Sequence, residues 1–167
     1  MRIGVFGGTF DPPHLGHLIV AETAQTQLGL DKIYFIPASQ PPHKTLSSYS
    51  NSDVRSEMVA GAIKGNAHFY LDDCELHRLG LSYTVDTLEL IKRRDCLEDG
   101  NLFLIIGADN FAGFETWKDP DRIVSLAQPV VYPRHHTKFS FIDHKWGDRV
   151  IVLDAARIEI SSSLIRD

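Results

Sequence analysis

Cysteine is almost absent from this chain, with two in 167 residues, Cys74 and Cys96. They match no metal-ligand spacing, and a disulfide framework does not suit a cytosolic-looking domain of this size, so two free thiols are expected. Long hydrophobic runs are missing as well: no apolar stretch approaches the roughly 20 residues that a helix needs to cross a bilayer. The first residues read as a strand followed by glycines, not as a basic segment with an apolar core, so no signal peptide is expected and the cytoplasm is the expected location. No block of like charge occurs. Seventeen basic and 22 acidic residues leave a net charge of −5, which makes nucleic acid and anionic membranes poor partners. An acidic protein can still bind an anionic nucleotide if its few cations gather at one site. There is no internal repeat, no low-complexity tract and no visible carboxylate cage for a metal.

What is present is a regular alternation. Apolar runs with the look of buried strands recur at Ile3–Phe6, Ile33–Ile36, Phe69–Leu71, Leu102–Ile106, Val130–Tyr132 and Val150–Leu153. Helical patterns lie between them at Leu18–Leu28, Asp53–Lys64, Tyr83–Arg94 and Asp119–Leu126. In the third helix Val85, Leu88 and Ile91 repeat at three-residue steps with Leu90 beside them, giving one apolar face. Continuous apolar strands alternating with helices predict an α/β fold: a doubly wound, mostly parallel sheet covered on both faces, formed as one domain. Ligands in such sheets bind beyond the carboxyl ends of the strands, near the point where strand order reverses. The segments following strands at Gly7–Thr9, Pro37–Lys44 and Gly107–Asp109 should therefore converge on one edge.

The most informative stretch is G-G-T-F-D-P-P-H-L-G-H, Gly7 to His17. Glycines at a strand exit allow backbone N–H groups close to a phosphate, and a helix N-terminus adds partial positive charge at the same point. His14 and His17 are three apart, so both can face an anion if the helix begins between them. Pro12 and Pro13 restrict the entry, and Gly16 leaves room for a large ligand. The first turn, G-V-F-G-G-T from Gly4 to Thr9, lacks G-x-G-x-x-G, so a dehydrogenase fits poorly. At the other end, I-S-S-S-L-I-R, Ile160 to Arg166, reads as a helix capped by serines. Its hydroxyls and N–H groups can bind phosphates, and Arg166 can neutralise them.

The H-x-G-H in this setting is the nucleotidyltransferase signature, and the chain resembles the bacterial nicotinate mononucleotide adenylyltransferases in particular. The resemblance runs from Met1 to Arg166 and includes P-A-S-Q-P-P-H-K (Pro37–Lys44), S-Y-T-V-D-T-L (Ser82–Leu88) and G-A-D (Gly107–Asp109) followed by Phe114 and Trp117. It implies transfer of the adenylyl group of ATP to nicotinate mononucleotide, by direct in-line displacement, with release of pyrophosphate. Residue types alone would also allow a covalent phosphohistidine. The resemblance implies His14, His17, Lys44 and Arg166 as catalytic residues. ATP is expected against Gly7, Gly8, Thr9, Phe10, Gly16, Gly107, Asp109, Ile160, Ser161, Ser162, Ser163 and Arg166. The mononucleotide is expected against Thr9, His43, Lys44, Tyr83, Thr84, Thr87 and Trp117. Mg²⁺ is expected with ATP, held by its phosphates and by water.

Physical chemistry supports these assignments to different degrees. Trp117 offers a flat face for a pyridine ring. The N–H groups at the start of the third helix suit a carboxylate. Asp109 can accept from ribose hydroxyls, and His43 and Lys44 can reach a phosphate from their proline-rich loop. Asp11 reads as a turn cap and not as a catalytic group. Two departures stand out: Tyr132–Pro133–Arg134–His135 replaces the family's arginine, proline and glycine, and the terminal helix usual in the family is expected to be missing or shortened after Asp167. On that account a poorly ordered last turn and weakened ATP binding are expected. Arg134–Lys145 reads as a loop, with His135–His136 as a surface pair. A homo-oligomer is compatible with the sequence. The alternatives are transfer to another phosphate acceptor, such as nicotinamide mononucleotide or phosphopantetheine, and a nucleotide-binding module without turnover.

Overall fold

Six strands form one parallel sheet in the order β3-β2-β1-β4-β5-β6. The strands are β1 (Ile3–Gly8), β2 (Lys32–Pro37), β3 (Phe69–Leu71), β4 (Leu102–Gly107), β5 (Gln128–Tyr132) and β6 (Ile151–Val152). The computed structural model describes residues 1–39, 50–78, 80–133, 145–155 and 160–166. The helices are α1 (Leu15–Leu28), α2 (Ser52–Ile63), α3 (Thr84–Arg94), α4 (Ala108–Phe111), α5 (Pro120–Leu126) and α6 (Ser162–Arg166). The chain runs outward from β1 through β2 to β3, then returns to lay β4 on the other side of β1. Strand order therefore reverses between β1 and β4, which pair from Ile3 opposite Leu102 to Val5 opposite Leu104.

Alternation along each strand divides the core in two. Ile3 and Val5, Tyr34 and Ile36, and Leu102, Leu104 and Ile106 point to one face, where Leu88 and Ile91 of α3 and Ile123 and Leu126 of α5 cover them. Phe6, Ile33, Phe35, Phe103 and Ile105 point to the other, under Val20, Ala21 and Ala24 of α1 and Val59 and Ile63 of α2. Because strands buried on both faces need no polar side, they read as unbroken apolar runs. Leu88 and Ile91 are fully buried, each contributing about 1.5–3 kcal/mol relative to an exposed position.

The expected strands and helices all appear, with shifted ends. β6 is only Ile151–Val152, inside the longer apolar run. α1 begins at Leu15 and not at Leu18, because the extended His14 starts it one turn earlier than the apolar pattern does. α4 and the 3₁₀ turn at Phe114–Thr116 have no periodicity of their own; they pack Phe111 and Phe114 into the α3–α5 core. Both cysteines are free, as expected. Cys74 is half-buried, and burial with the nearby Asp72 carboxylate pushes its thiol up to about 12. No described helix is long and apolar enough to cross a membrane. Lys44 and His43, with the rest of 40–49, and Arg134–His136 lie outside the described residues.

Candidate active site

β1 delivers the chain to the cleft, and Phe10 sets the turn that follows. Its φ of +50° is uncommon for a residue with a side chain and is held because the ring is buried against Phe6 and Phe35. That ring also meets His17 edge-on at 5.0 Å. His14, in extended backbone, caps α1. The helix thus starts between the two histidines, the condition under which both can face one anion. The His14 N–H donates to His17 Nδ1 at 3.2 Å, and the two imidazoles stack with centroids 3.7 Å apart. An Nδ1 that accepts leaves the proton of neutral His17 on Nε2, so the assigned tautomer makes Nε2 the donor. The fourteen-residue α1 directs its positive N-terminal end to the same place.

The end of the chain docks on this turn. Ser162 Oγ donates to the Pro12 carbonyl at 2.8 Å, across 150 positions of sequence. Arg166 donates from Nη1 to the Asp11 carbonyl, with the Asp11 carboxylate 3.9 Å from the same nitrogen. Ser161 Oγ accepts the Leu164 N–H at 3.2 Å and caps α6, as a serine there should.

Beneath these contacts lies an arginine that sequence reasoning missed. Arg55, 3% exposed, donates to Thr9 O at 2.8 Å, Ala38 O at 2.8 Å and Ser50 O at 3.1 Å. One guanidinium therefore joins the segments that leave β1 and β2 to Ser50, the residue before the α2 cap. Its planar fork can reach three carbonyls where an ammonium could not. Nothing in the sequence separates Arg55 from a solvated arginine on a first helical turn. Asp11 is its electrostatic neighbour, also 3% exposed, and its Oδ2 accepts the Ser50 N–H at 3.0 Å. Burial pushes the Asp11 carboxyl up, but the Ser50 hydrogen bonds and the charges of Arg166 and Arg55 prevail and hold it below its ordinary value. Asp11 is thus an anchor for neighbouring backbone, in keeping with its reading as a turn cap.

Two connected hollows lie at the carboxyl ends of β1 and β4. The outer cleft, about 390 Å³, is bounded by Gly7, Gly8, Thr9 and Phe10 on the β1 side and by His14 and His17 at the start of α1. Asp109, Trp117, Ser161, Ser162, Ser163 and Arg166 close it. The smaller inner cavity, about 150 Å³, lies under Gly7, Gly8 and Trp117 and is walled by Thr84, Thr87, Ser82 and Glu75. Trp117 stands at the junction, half-buried, with its ring 5.1 Å from Phe114. The cleft therefore gathers most of the predicted residues from both ends of the chain.

Among the described residues, four of the predicted ones are not on these walls. Gly16 is buried within α1. Tyr83 caps α3 and packs against the core, with the exposed Lys118 4.6 Å over its ring. Ile160 is half-buried beside Ser161. Gly107 ends β4, and an added Cβ would stand 2.3 Å from Asp109 Oδ1 and 3.2 Å from the Tyr132 ring. Gly107 thus serves by absence, letting Asp109 fold back against it. Thr87 does line the inner cavity, but its hydroxyl donates to Glu75 at 2.7 Å and accepts from Arg78 at 3.1 Å. Burial pushes the Glu75 carboxyl above its ordinary value, against the hydroxyls of Thr87 and Ser82 and the charge of Arg78. Glu75 was not legible in the sequence, since an acid in a turn after a strand reads as a solvated side chain.

Comparison with known proteins agrees with this geometry. The model of the cytidylyltransferase-like family matches residues 5–167. The Bacillus subtilis nicotinate-nucleotide adenylyltransferase is 40% identical over 168 residues, covering 99% of this chain and 84% of the relative. The nicotinic acid mononucleotide adenylyltransferase of Plasmodium falciparum, complexed with NaAD, has the same fold, with a TM-score of 0.83 at 20% identity over 99% of this chain and 82% of that one. The same enzyme complexed with APC gives 0.80 at 20% identity, over 99% and 82%. With both signature segments in one cleft and relatives of this identity over nearly its full length, the chain belongs to the nicotinate-nucleotide adenylyltransferase family.

Proposed function

We infer that this protein transfers the adenylyl group of ATP to nicotinate mononucleotide, forming nicotinate adenine dinucleotide and pyrophosphate, a step of NAD biosynthesis. The observation that carries the reading is the meeting of His14 and His17 with Ser161–Arg166 across one cleft, fastened by the Ser162–Pro12 hydrogen bond. The fold relatives complexed with NaAD and APC support a nucleotide ligand there. The outer cleft takes ATP: its phosphates lie along the α1 start, and Ser161–Ser163 and Arg166 face the β- and γ-phosphates. Asp109 accepts from ribose. The inner cavity takes the pyridine ring beneath Trp117, and the N–H groups that open α3 at Thr84 receive its carboxylate.

The reaction needs no covalent intermediate. An oxygen of the mononucleotide's phosphate attacks the α-phosphorus of ATP in line, and the bond to the β-phosphate bridging oxygen breaks as pyrophosphate leaves. Charge grows on the bridging and non-bridging oxygens. His17 Nε2–H, oriented through its Nδ1, and the His14 ring donate to those oxygens, where preorganised donors act most strongly. Arg166, held by Asp11 O, meets the departing pyrophosphate. His43 and Lys44 complete the proposed set from the sequence. Mg²⁺ would enter with ATP on its phosphates and water and would neutralise charge there. Among the described residues no cluster of three His, Cys, Asp or Glu could cage it.

Pyrophosphate release measured with ATP and each of nicotinate mononucleotide, nicotinamide mononucleotide and phosphopantetheine tests the reading. Turnover with the first and little with the others is expected. Preference for another acceptor, or ATP binding without turnover on any, refutes it.

A further inference from the structure

The inner cavity is walled mainly by carbon, from Val5, Ile36, Leu104, Ile106 and the Trp117 indole. Among the described residues that line it, the only charged side chain is the carboxylate of Glu75. Glu75 comes from the turn after β3 and is 8% exposed. Its carboxylate accepts from Thr87, and the Arg78 guanidinium donates to that same hydroxyl. The hydroxyls of Thr87 and Ser82 and the Arg78 charge offset the cost of burying this carboxylate only in part, since burial still holds it above its ordinary value. Its presence also poses a question for a pocket that takes an acid, since two carboxylates repel at short range.

Ligand chemistry answers it. A pyridine ring joined through its nitrogen to ribose is quaternary and carries a positive charge at every pH. Such a ring fits between an indole face, which attracts cations, and a carboxylate. The acid substituent at the ring edge can turn instead to the start of α3, where helix N–H groups favour negative charge. We propose that Glu75 is a specificity-determining residue: its carboxylate, with the Trp117 indole, selects a quaternary pyridinium ring over a neutral ring of the same shape. This rests on the assignment of the inner cavity to the acceptor.

Two probes differ in ring charge and by one methyl group, and the Glu75→Gln variant isolates the charge. 1-Methylnicotinate and nicotinate carry the same carboxylate at neutral pH, and only the first has a charged ring. Titration of the full-length chain, followed by NMR, should show 1-methylnicotinate binding about tenfold tighter or more, as a desolvated charge pair and cation–π contact allow. Glu75→Gln should abolish that preference with nicotinate affinity unchanged or improved, and Glu75→Asp should retain part of it. The Gln amide oxygen can still accept from Thr87, so melting temperature should hold. In steady state, Glu75→Gln should raise KM for nicotinate mononucleotide by about tenfold while KM for ATP stays put. No preference in the wild type, preference surviving in Glu75→Gln, or equal loss of both probes with a lowered melting temperature each overturns the proposal. If the preference is present but nicotinate mononucleotide is not turned over, the acceptor assignment fails and the role of Glu75 stands. Turnover without the preference overturns the role of Glu75 and leaves the acceptor assignment standing.

Discussion

The backbone N–H of His14 donates to Nδ1 of His17 at 3.2 Å, so one member of the signature pair orients the other. The contact exists only because His14 is the cap of α1 and His17 lies in its first turn. It selects the tautomer whose Nε2 donates. His17→Ala should therefore lower kcat by about 10²–10³, the usual cost of losing a preorganised donor, with little change in ATP affinity. His14→Ala should cost a similar or smaller factor. Saturating kinetics decide the point, and an unchanged kcat removes His17 from the mechanism.

Acceptor choice follows from the inner cavity. A carboxylate at the α3 start under Trp117 should be preferred to the neutral amide, so nicotinate mononucleotide should exceed nicotinamide mononucleotide in kcat/KM by at least about tenfold, or roughly 1.4 kcal/mol. Trp117→Ala should raise KM for the mononucleotide and leave that for ATP nearly alone. Equal efficiency with acid and amide contradicts the assignment.

Two glycines separate function from folding. At Gly7 an added Cβ meets no atom within 4 Å, so Gly7→Ala should leave the melting temperature unchanged while its methyl group takes up open space on the wall the two hollows share and raises KM. At Gly107 the added Cβ meets the far end of the Asp109 side chain. The Asp109 carboxylate and the tip of the Tyr132 ring would both have to shift, so Gly107→Ala should still fold and should raise KM for ATP through the displaced carboxylate. A fall in stability with normal KM for either variant contradicts this account.

Asp11 links activity to acid stability. Its folded carboxyl titrates below the ordinary value of 3.8, so the ionised form stabilises the fold above that pH. The contribution is lost as pH falls through the lowered value. Asp11→Asn should melt below wild type at pH 7, and the gap should close under strongly acidic conditions. A gap that persists unchanged in acid indicates that charge is not what Asp11 supplies. Arg55→Ala, leaving three carbonyls without their donor and the buried Asp11 carboxylate without a neighbouring charge, should destabilise by about 3 kcal/mol at neutral pH, measured by denaturant unfolding.

Apolar patterning determined most of the fold by itself. Unbroken apolar strands such as Leu102–Ile106 can only be buried on both faces, and α3 carries its buried stripe, Val85, Leu88 and Ile91, in plain spacing. The histidines, the glycine turn and the serine cap were legible for the same reason: each is local chemistry at an element's end. What only the tertiary structure decided is long-range. Ser162 on Pro12, Arg55 across Thr9, Ala38 and Ser50, and Thr87 on Glu75 all join residues whose nearness the chain acquires on folding. A buried arginine or glutamate has the same letters as a solvated one, because burial belongs to the packed surroundings and not to the residue. The sequence therefore named the groups proposed to meet the phosphates, while packing set Arg55 and Asp11 beneath them and put Glu75 on the wall of the inner cavity.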